Sequence, residues 1–450
     1  MFPFGVFMVR KKVVILGAAG RDFHDFNMLF RDNKEYEVVA FTAAQIPFIA
    51  DRTYPRELSG KLYPRGIRIH DESELLDVIR KHRADICLQA YSDTTYNNVM
   101  HNSAIANAAG ADFWIVSPER TMLRSKKRVI AICAARTGSG KSQTTRYVSE
   151  FLRRKGVKAV IIRHPMPYGI LKNEIVERFE RKEDLDRYKT TIEEREEYEQ
   201  HINNGFIVYA GVDYEKILRS AEKEADVIIW DGGNNDAPFI RPDLMVAVID
   251  PLRPGDELAY YPGEVVVKIA DIVLINKANS VTEGVIASAK KRLGEINKDA
   301  VIVVADSEIK TDNKEGIRGK RVLLIEDGPT ITHGGMPFGA AMVASQMFGA
   351  KSVVEARKYA VGTIKETFEK YPLLKEELPA MGYSKGQISD LEKTINRAKC
   401  DIVVSATPID LRRILDIRKP MAHVTYDLAP RTREFDRLLG EFARSTRKQR

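Results

Sequence analysis

A Lys-Ser pair opening a helix, directly after a glycine-rich turn, is the arrangement by which a protein chain grips a triphosphate. Residues 135–142 run Ala-Arg-Thr-Gly-Ser-Gly-Lys-Ser, between the apolar segment Val129–Ala134 and a helix-like stretch from Gln143 to Arg154. In that context the backbone of Thr137, Gly138, Ser139 and Gly140 curls around phosphate oxygens, and the helix start adds positive potential. Lys141 reaches the β- and γ-phosphates, the Ser142 hydroxyl ligates Mg²⁺, and Gln143 completes the nucleotide-facing set. Ala135 takes the place of the usual first glycine. Arg136 adds a second cation to the loop: either a guanidinium that spreads phosphate charge or an exposed side chain on a turn.

A magnesium-bound triphosphate needs an acid beside the loop, and the run Asp226–Trp230 delivers one at its end in Asp231. Gly232 and Gly233 then let backbone approach the γ-phosphate, and Asn234, Asn235 and Asp236 are candidates to orient a nucleophile. Asn276-Lys277-Ala278-Asn279 follows another apolar run and has the form of a base-reading motif. Asn279 stands where a carboxylate would accept both guanine N–H donors, which leaves ATP as the expected nucleotide with GTP possible.

Three further loops carry groups for a second substrate. Arg163 and His164 precede Pro165 at a strand end and are placed to grip a phosphorylated ligand or pass a proton. Glu326, Asp327, Thr330 and His333 share one loop before a helix of small residues, a density suited to anion binding and acid–base work. Thr407-Pro408 reads as a capped helix start after the last apolar run, with Thr407 as a substrate contact. In the first unit, Gly17-Ala-Ala-Gly20 lacks the full dinucleotide fingerprint, so its expected ligand is a phosphate or carboxylate held with Arg21 and His24.

These residues sit at the ends of short apolar runs separated by charged helical stretches, which predicts an α/β fold with mainly parallel strands. A Rossmann-like doubly wound domain is expected over residues 8–124, with strands Val13–Leu16, Glu37–Phe41, Asp85–Ala90 and Phe113–Val116. A larger P-loop NTPase domain follows over 128–428, and 429–450 reads as a basic C-terminal tail. The charge run from Glu174 to Ile202 reads as a solvated helical face or lid, with a capping box at Thr191–Glu194.

Composition narrows the classes. The 450 residues are 44% hydrophobic and 30% charged, as in a globular chain with sizeable cores. Net charge is +8, but residues 431–450 carry seven Lys/Arg against three Asp/Glu, so that tail supplies +4 and the rest is nearly balanced. Nucleic acid is therefore not an expected partner. No apolar run reaches the length of a membrane span, and three scattered cysteines fit small buried residues in a reducing cytoplasm.

Taken together, these motifs resemble known families. The loop resembles the deviant Walker loop of MinD-like, nitrogenase-iron-protein-like and dethiobiotin-synthetase-like NTPases, which carry a signature Lys where Arg136 stands; the resemblance implies a homodimer with that cation crossing to the partner's nucleotide. Residues 17–24, 163–169, 230–236 and 326–330 together resemble the archaeal and bacterial family labelled cyclic 2,3-diphosphoglycerate synthetase or predicted GTPase, over Lys11 to Tyr426. That resemblance implies ATP-driven closure of a phosphoanhydride in a small phosphorylated metabolite. In it Arg136 and Lys141 neutralise the transferring phosphoryl group, Asp231 serves Mg²⁺, and Arg163, His164 and His333 face the substrate's phosphates. Two other readings stay open: a regulatory or metallochaperone-type GTPase, and an NTP-dependent ligase acting on another small carboxylate or phosphate.

Overall fold

β-Branched runs too short for helices, flanked by amphipathic helical segments, assemble here into two sheets and a small ribbon. The computed structural model describes residues 9–43, 49, 52–164, 171–233, 235–332, 334–382 and 384–448. In the first unit the strands are β1 (Lys11–Leu16), β2 (Tyr36–Ala43), β3 (Thr53–Tyr54), β4 (Ile67–Asp71), β5 (Ile86–Gln89), β6 (Thr94–Thr95) and β7 (Asp112–Ile115). Their sheet order is β3-β4-β2-β1-β5-β7, parallel except for β3, with β6 outside it. The order reverses between β1 and β5, where doubly wound sheets open a crevice. That crevice is filled by protein. Arg21, in the helix Gly20–Leu29, donates to Asp236 (3.0 Å) and to the Ala237 carbonyl (2.5 Å). His24 stacks on Phe239 and bonds the Thr121 carbonyl. Asp22 turns back to accept from Ala19 N (2.8 Å), covering the turn itself. The expected anion grip by Arg21 and His24 is therefore an interface between the two units.

The second sheet runs through β8 (Arg128–Ala134), β9 (Ala159–Arg163), β10 (Glu177–Phe179), β11 (Ile207–Ala210), β12 (Val227–Asp231), β13 (Leu244–Ile249), β15 (Ile272–Ile275) and β16 (Val301–Thr311). It continues through β17 (Arg321–Asp327), β18 (Ser352–Val353), β19 (Glu377–Ala380), β20 (Ile402–Ser405) and β21 (Met421–Pro430), while β14 (Tyr260–Tyr261) pairs with β6 as the ribbon. The spatial order is β10-β11-β9-β12-β8-β13-β15-β16-β21-β20-β17-β18, with β19 against β17. Inserting β12 between β8 and β9 puts Asp231 level with Ile132 and Arg163, beside the loop that follows β8. β16 does double duty. Its first half runs parallel to β15, and its second half pairs antiparallel with β21, joining the P-loop strands to the C-terminal ones.

The segment expected as a solvated tail instead forms the helix Glu434–Lys448. Phe435, Leu439, Phe442 and Ala443 recur at helical spacing and pack with Val148, Phe151 and Leu152 of the helix Lys141–Arg154. Its basic residues lie on the outer face, so the charge excess coexists with a buried stripe. The Glu174–Ile202 region departs from expectation in the same way: in the helix Ile192–Ile202, Glu193, Glu194, Glu196 and Glu199 are all buried. Thr191 and Glu194 do form the reciprocal cap at its start. Among the described residues no helix is long and apolar enough to cross a membrane.

Candidate nucleotide and substrate site

The loop between β8 and the helix Lys141–Arg154 closes as the glycine spacing demands. Gly138 (φ +80°) and Gly140 (φ +101°) take left-handed conformations, and a Cβ at Gly140 would overlap the Asn276 amide and Gln143. Asn276 donates to the Ser139 carbonyl (2.9 Å), and Lys277 bridges the Gly138 carbonyl (2.6 Å) to Asp250 (2.8 Å). Both thus buttress the loop, and Lys277 also lines the cavity the loop opens on. Asn279 exchanges bonds with the Ser307 backbone (2.9 and 3.0 Å), which commits its amide to β16.

Arg136 is neither an exposed turn residue nor directed away from the chain. Its guanidinium is buried, bonded to Asp93 of the first unit, to Asp256 (3.0 Å) and to the Gly334 carbonyl (3.1 Å), with the Tyr260 ring 3.5 Å away. Thr137 also donates to Asp93 (2.5 Å). Asp93 itself has a left-handed backbone (φ +59°) beside the β6–β14 ribbon, and no sequence motif marks it. The first unit therefore grips the phosphate loop directly.

Asp231 is the electrostatic centre. Lys141 Nζ lies 3.0 Å from one carboxylate oxygen, Arg163 2.8 Å from the same one, and His201 Nε2 3.1 Å from the other. Burial opposes the charge, but Arg163, Lys141 and His201 outweigh it and hold the carboxyl well below its usual range. Burial, with Arg163 nearby, lowers Lys141 despite Asp231. Arg163 also pairs with Glu197. His201 carried no sequence signal beyond lying on the charged helix. Ser142 and an ionised Asp231 offer the hard oxygens that Mg²⁺ takes, directly or through water, so the donor set fits the metal a P-loop uses.

A cavity of about 150 Å³ opens on residues 136–143 and Arg163. Its lining also includes Glu196, Glu197, Glu326, Asp327, Thr330 and Tyr426, with Thr330 packed against Gly138 of the loop. Among the residues expected to bind substrate, Arg163, Glu326, Asp327 and Thr330 are thus brought to one space, and others are not. His164 lies outside the lining: its ring packs on Gly20 and Gly233 with Nε2 3.3 Å from Asp236. Asp236 faces the first unit through Arg21, and Asn235 donates to the Tyr260 and Tyr261 carbonyls of the ribbon (3.4 and 3.3 Å). Thr407 bonds the Ile409 carbonyl within its own turn, and Asp410 caps the short turn that follows. Glu326 reaches the cavity, yet its oxygens accept from Ala341 N (3.1 Å) and Met342 N (3.0 Å), so it caps the helix Ala340–Met347. Burial pushes its pKa up to about 8 against those bonds. His333, Asn234 and residues 165–170 lie outside the described residues.

No family model matches the chain. Over 419 residues, 93% of this chain and 94% of the relative, it is 55% identical to the arginine synthetase ArcE of Thermococcus kodakarensis. The chain belongs to the ArcE family. It is a P-loop enzyme by its loop geometry and its full-length kinship with a synthetase. The relative's name is not the one the motif resemblance implied. Solved structures that resemble it more distantly include the "apo" form of LpxK from Aquifex aeolicus in complex with ATP (TM-score 0.43, 13% identity, 77% of this chain and 95% of that one). Another is the hydrogenase maturation factor HypB from Archaeoglobus fulgidus (TM-score 0.27, 17% identity, 42% and 83%).

Proposed function

We propose that the chain is a nucleoside-triphosphate-dependent synthetase that forms arginine. The observation that carries this reading, beside the 55% identity to an arginine synthetase, is a cavity lined both by the phosphate loop and by the carboxyls Glu196, Glu197 and Asp327. A doubly phosphorylated acid would bring further negative charge to a lining that already holds acidic side chains such as Glu197 and Asp327, whereas a nitrogen cation would meet them as partners.

Building a guanidinium from a ureido group requires a better leaving group than oxygen. The ureido oxygen bonds the γ-phosphorus as the β–γ bridge breaks, releasing nucleoside diphosphate. An amine nitrogen then bonds the ureido carbon, and inorganic phosphate leaves with that oxygen. Starting from ammonium, one proton is released overall. The loop amides and Lys141 hold the phosphates in line, and Arg163 stands beside them to offset charge on the transferring group. Ser142 and Asp231 would hold Mg²⁺, which when bound neutralises the β- and γ-oxygens. Arg136 fixes the loop through Asp93, and burial of the cavity walls excludes water from the activated intermediate.

The test is purified protein with Mg-ATP or Mg-GTP, citrulline and ammonium, followed by mass spectrometry for arginine and an assay for the diphosphate. Arginine formed in step with one nucleotide supports the reading and names the base. Absence of arginine, with a cyclic anhydride appearing by phosphorus NMR when 2,3-diphosphoglycerate is supplied, would return the chain to the other label.

A further inference from the structure

The mechanism leaves one group unused. Glu196 is buried at 3% exposure and lines the cavity, yet neither of its oxygens receives a hydrogen bond from a donor among the described residues. It lies against Asp327, whose carboxylate is held on one side by the Thr330 hydroxyl and backbone N–H (3.2 Å). Behind them Glu193 accepts from Gly382 N (2.8 Å) with one oxygen and leaves the other unpaired. Next along the helix, Glu197 bonds Arg163, which bonds Asp231. These acids therefore stand a short chain of contacts from Lys141.

Buried acceptors without donors cost stability, and contacting carboxyls cannot both ionise without a cation beside them. Burial first, then Asp327 and Glu193, pushes Glu196 well above the usual carboxylate range. Without a ligand, a protonated Glu196 donates to Asp327; a cation can take the place of that shared proton. Among the described residues no group of three or more acid, His or Cys side chains converges as a metal would require. The cavity is also lined by Met336, Phe338 and Tyr426, the last of which lies near Asp327 and Glu196. Those surfaces suit a flat or small nitrogen cation better than a hydrated divalent ion.

We propose that Glu196 and Asp327, backed by Glu193, form the receptor for an N–H-bearing cation, either the guanidinium of arginine or ammonium. This deepens the synthetase reading and rests on it for the identity of the cation. A guanidinium would donate to both carboxyls in its plane, and an ammonium would donate to each in turn.

The experiment compares wild type with Glu196→Gln and Asp327→Asn in the full chain. Arginine binding is measured by calorimetry, the KM for ammonium by arginine production, and nucleotide binding with a fluorescent ATP analogue. Nucleotide affinity should stay within two-fold, which confirms a folded site. Loss of arginine affinity by at least ten-fold with the ammonium KM unchanged assigns the guanidinium; a ten-fold rise in that KM with arginine affinity unchanged assigns ammonium. If wild type makes arginine but neither quantity moves in either variant, the receptor is refuted while the synthetase reading stands. If wild type makes none yet binds arginine through Glu196, the synthetase reading fails and the receptor stands. Should one variant not fold, the other carries the same readouts.

Discussion

Asp93 offers the sharpest test of how the first unit serves the phosphate loop, through the substitution Asp93→Ala. Its carboxylate holds two loop side chains, Arg136 and Thr137, and the Arg136 and Asp93 side chains are only 4% and 3% exposed. Breaking a buried ion pair by removing one partner costs about 3–5 kcal/mol when the remaining charge is left alone. Here it is not alone, because Asp256 and the Gly334 carbonyl still receive the guanidinium. The loss is better set by the charge-assisted hydrogen bonds themselves, about 1.5–3 kcal/mol. If half of that appears as a misplaced loop, about 0.75–1.5 kcal/mol, nucleotide affinity falls about four- to twelve-fold, since ~1.4 kcal/mol is a factor of ten. Asp256→Asn is the control. That carboxylate is 26% exposed, and its loss should cost about 1 kcal/mol or less. Titration of each variant with a fluorescent nucleotide gives the answer. An Asp93→Ala protein that binds as wild type does, or more tightly than Asp256→Asn, would refute the view that the first unit sets the loop.

Gly140→Ala should abolish nucleotide binding with little loss of fold, because φ is +101° and a Cβ would overlap Asn276; equilibrium dialysis with labelled ATP checks it. Phe435→Ala should cost about 3–5 kcal/mol, since that ring is fully buried and stacks on Tyr147 at 5.8 Å; denaturant unfolding of a merely surface-lying helix would show no such loss. Burial chiefly raises the Asp22 pKa to about 8, with Asp25 and Asp236 adding to it. The folded state then binds the extra proton between the ordinary carboxylate range near ~4 and about 8, so this group's contribution falls as pH rises through that window. Asp22→Asn should therefore gain melting temperature over wild type at pH 8 and lose that advantage near pH 4; an equal difference at both pH values would contradict the assignment.

Much of this was legible from the chain. The loop 135–142, the buried run ending in Asp231 and the alternation of short strands with helices are local signals, because strand ends and glycine turns are set by neighbours in sequence. What escaped depends on contacts between distant segments. Glu193 and Glu196 read as solvent-facing because charge is normally exposed, yet the C-terminal unit lies over their helix and supplies Gly382 and Asp327. β21 escaped because Met421–Pro430 mixes His, Thr, Tyr and Asp with a terminal Pro, and only pairing with β16 makes it a strand. His164 looked like a ligand from its place at a strand end, and two glycines brought it into an interface instead. The final helix was readable: Phe435, Leu438, Leu439, Phe442 and Ala443 have helical spacing, and the weight of basic residues obscured it.

The central claim is that the γ-phosphoryl group is passed to the oxygen that the nitrogen then displaces. Citrulline carrying ¹⁸O in its ureido group, incubated with the protein, ammonium and Mg-ATP, follows that atom directly. The account predicts one ¹⁸O in each released phosphate and an equal amount of arginine. Unlabelled phosphate, or nucleotide turnover without arginine, would contradict it.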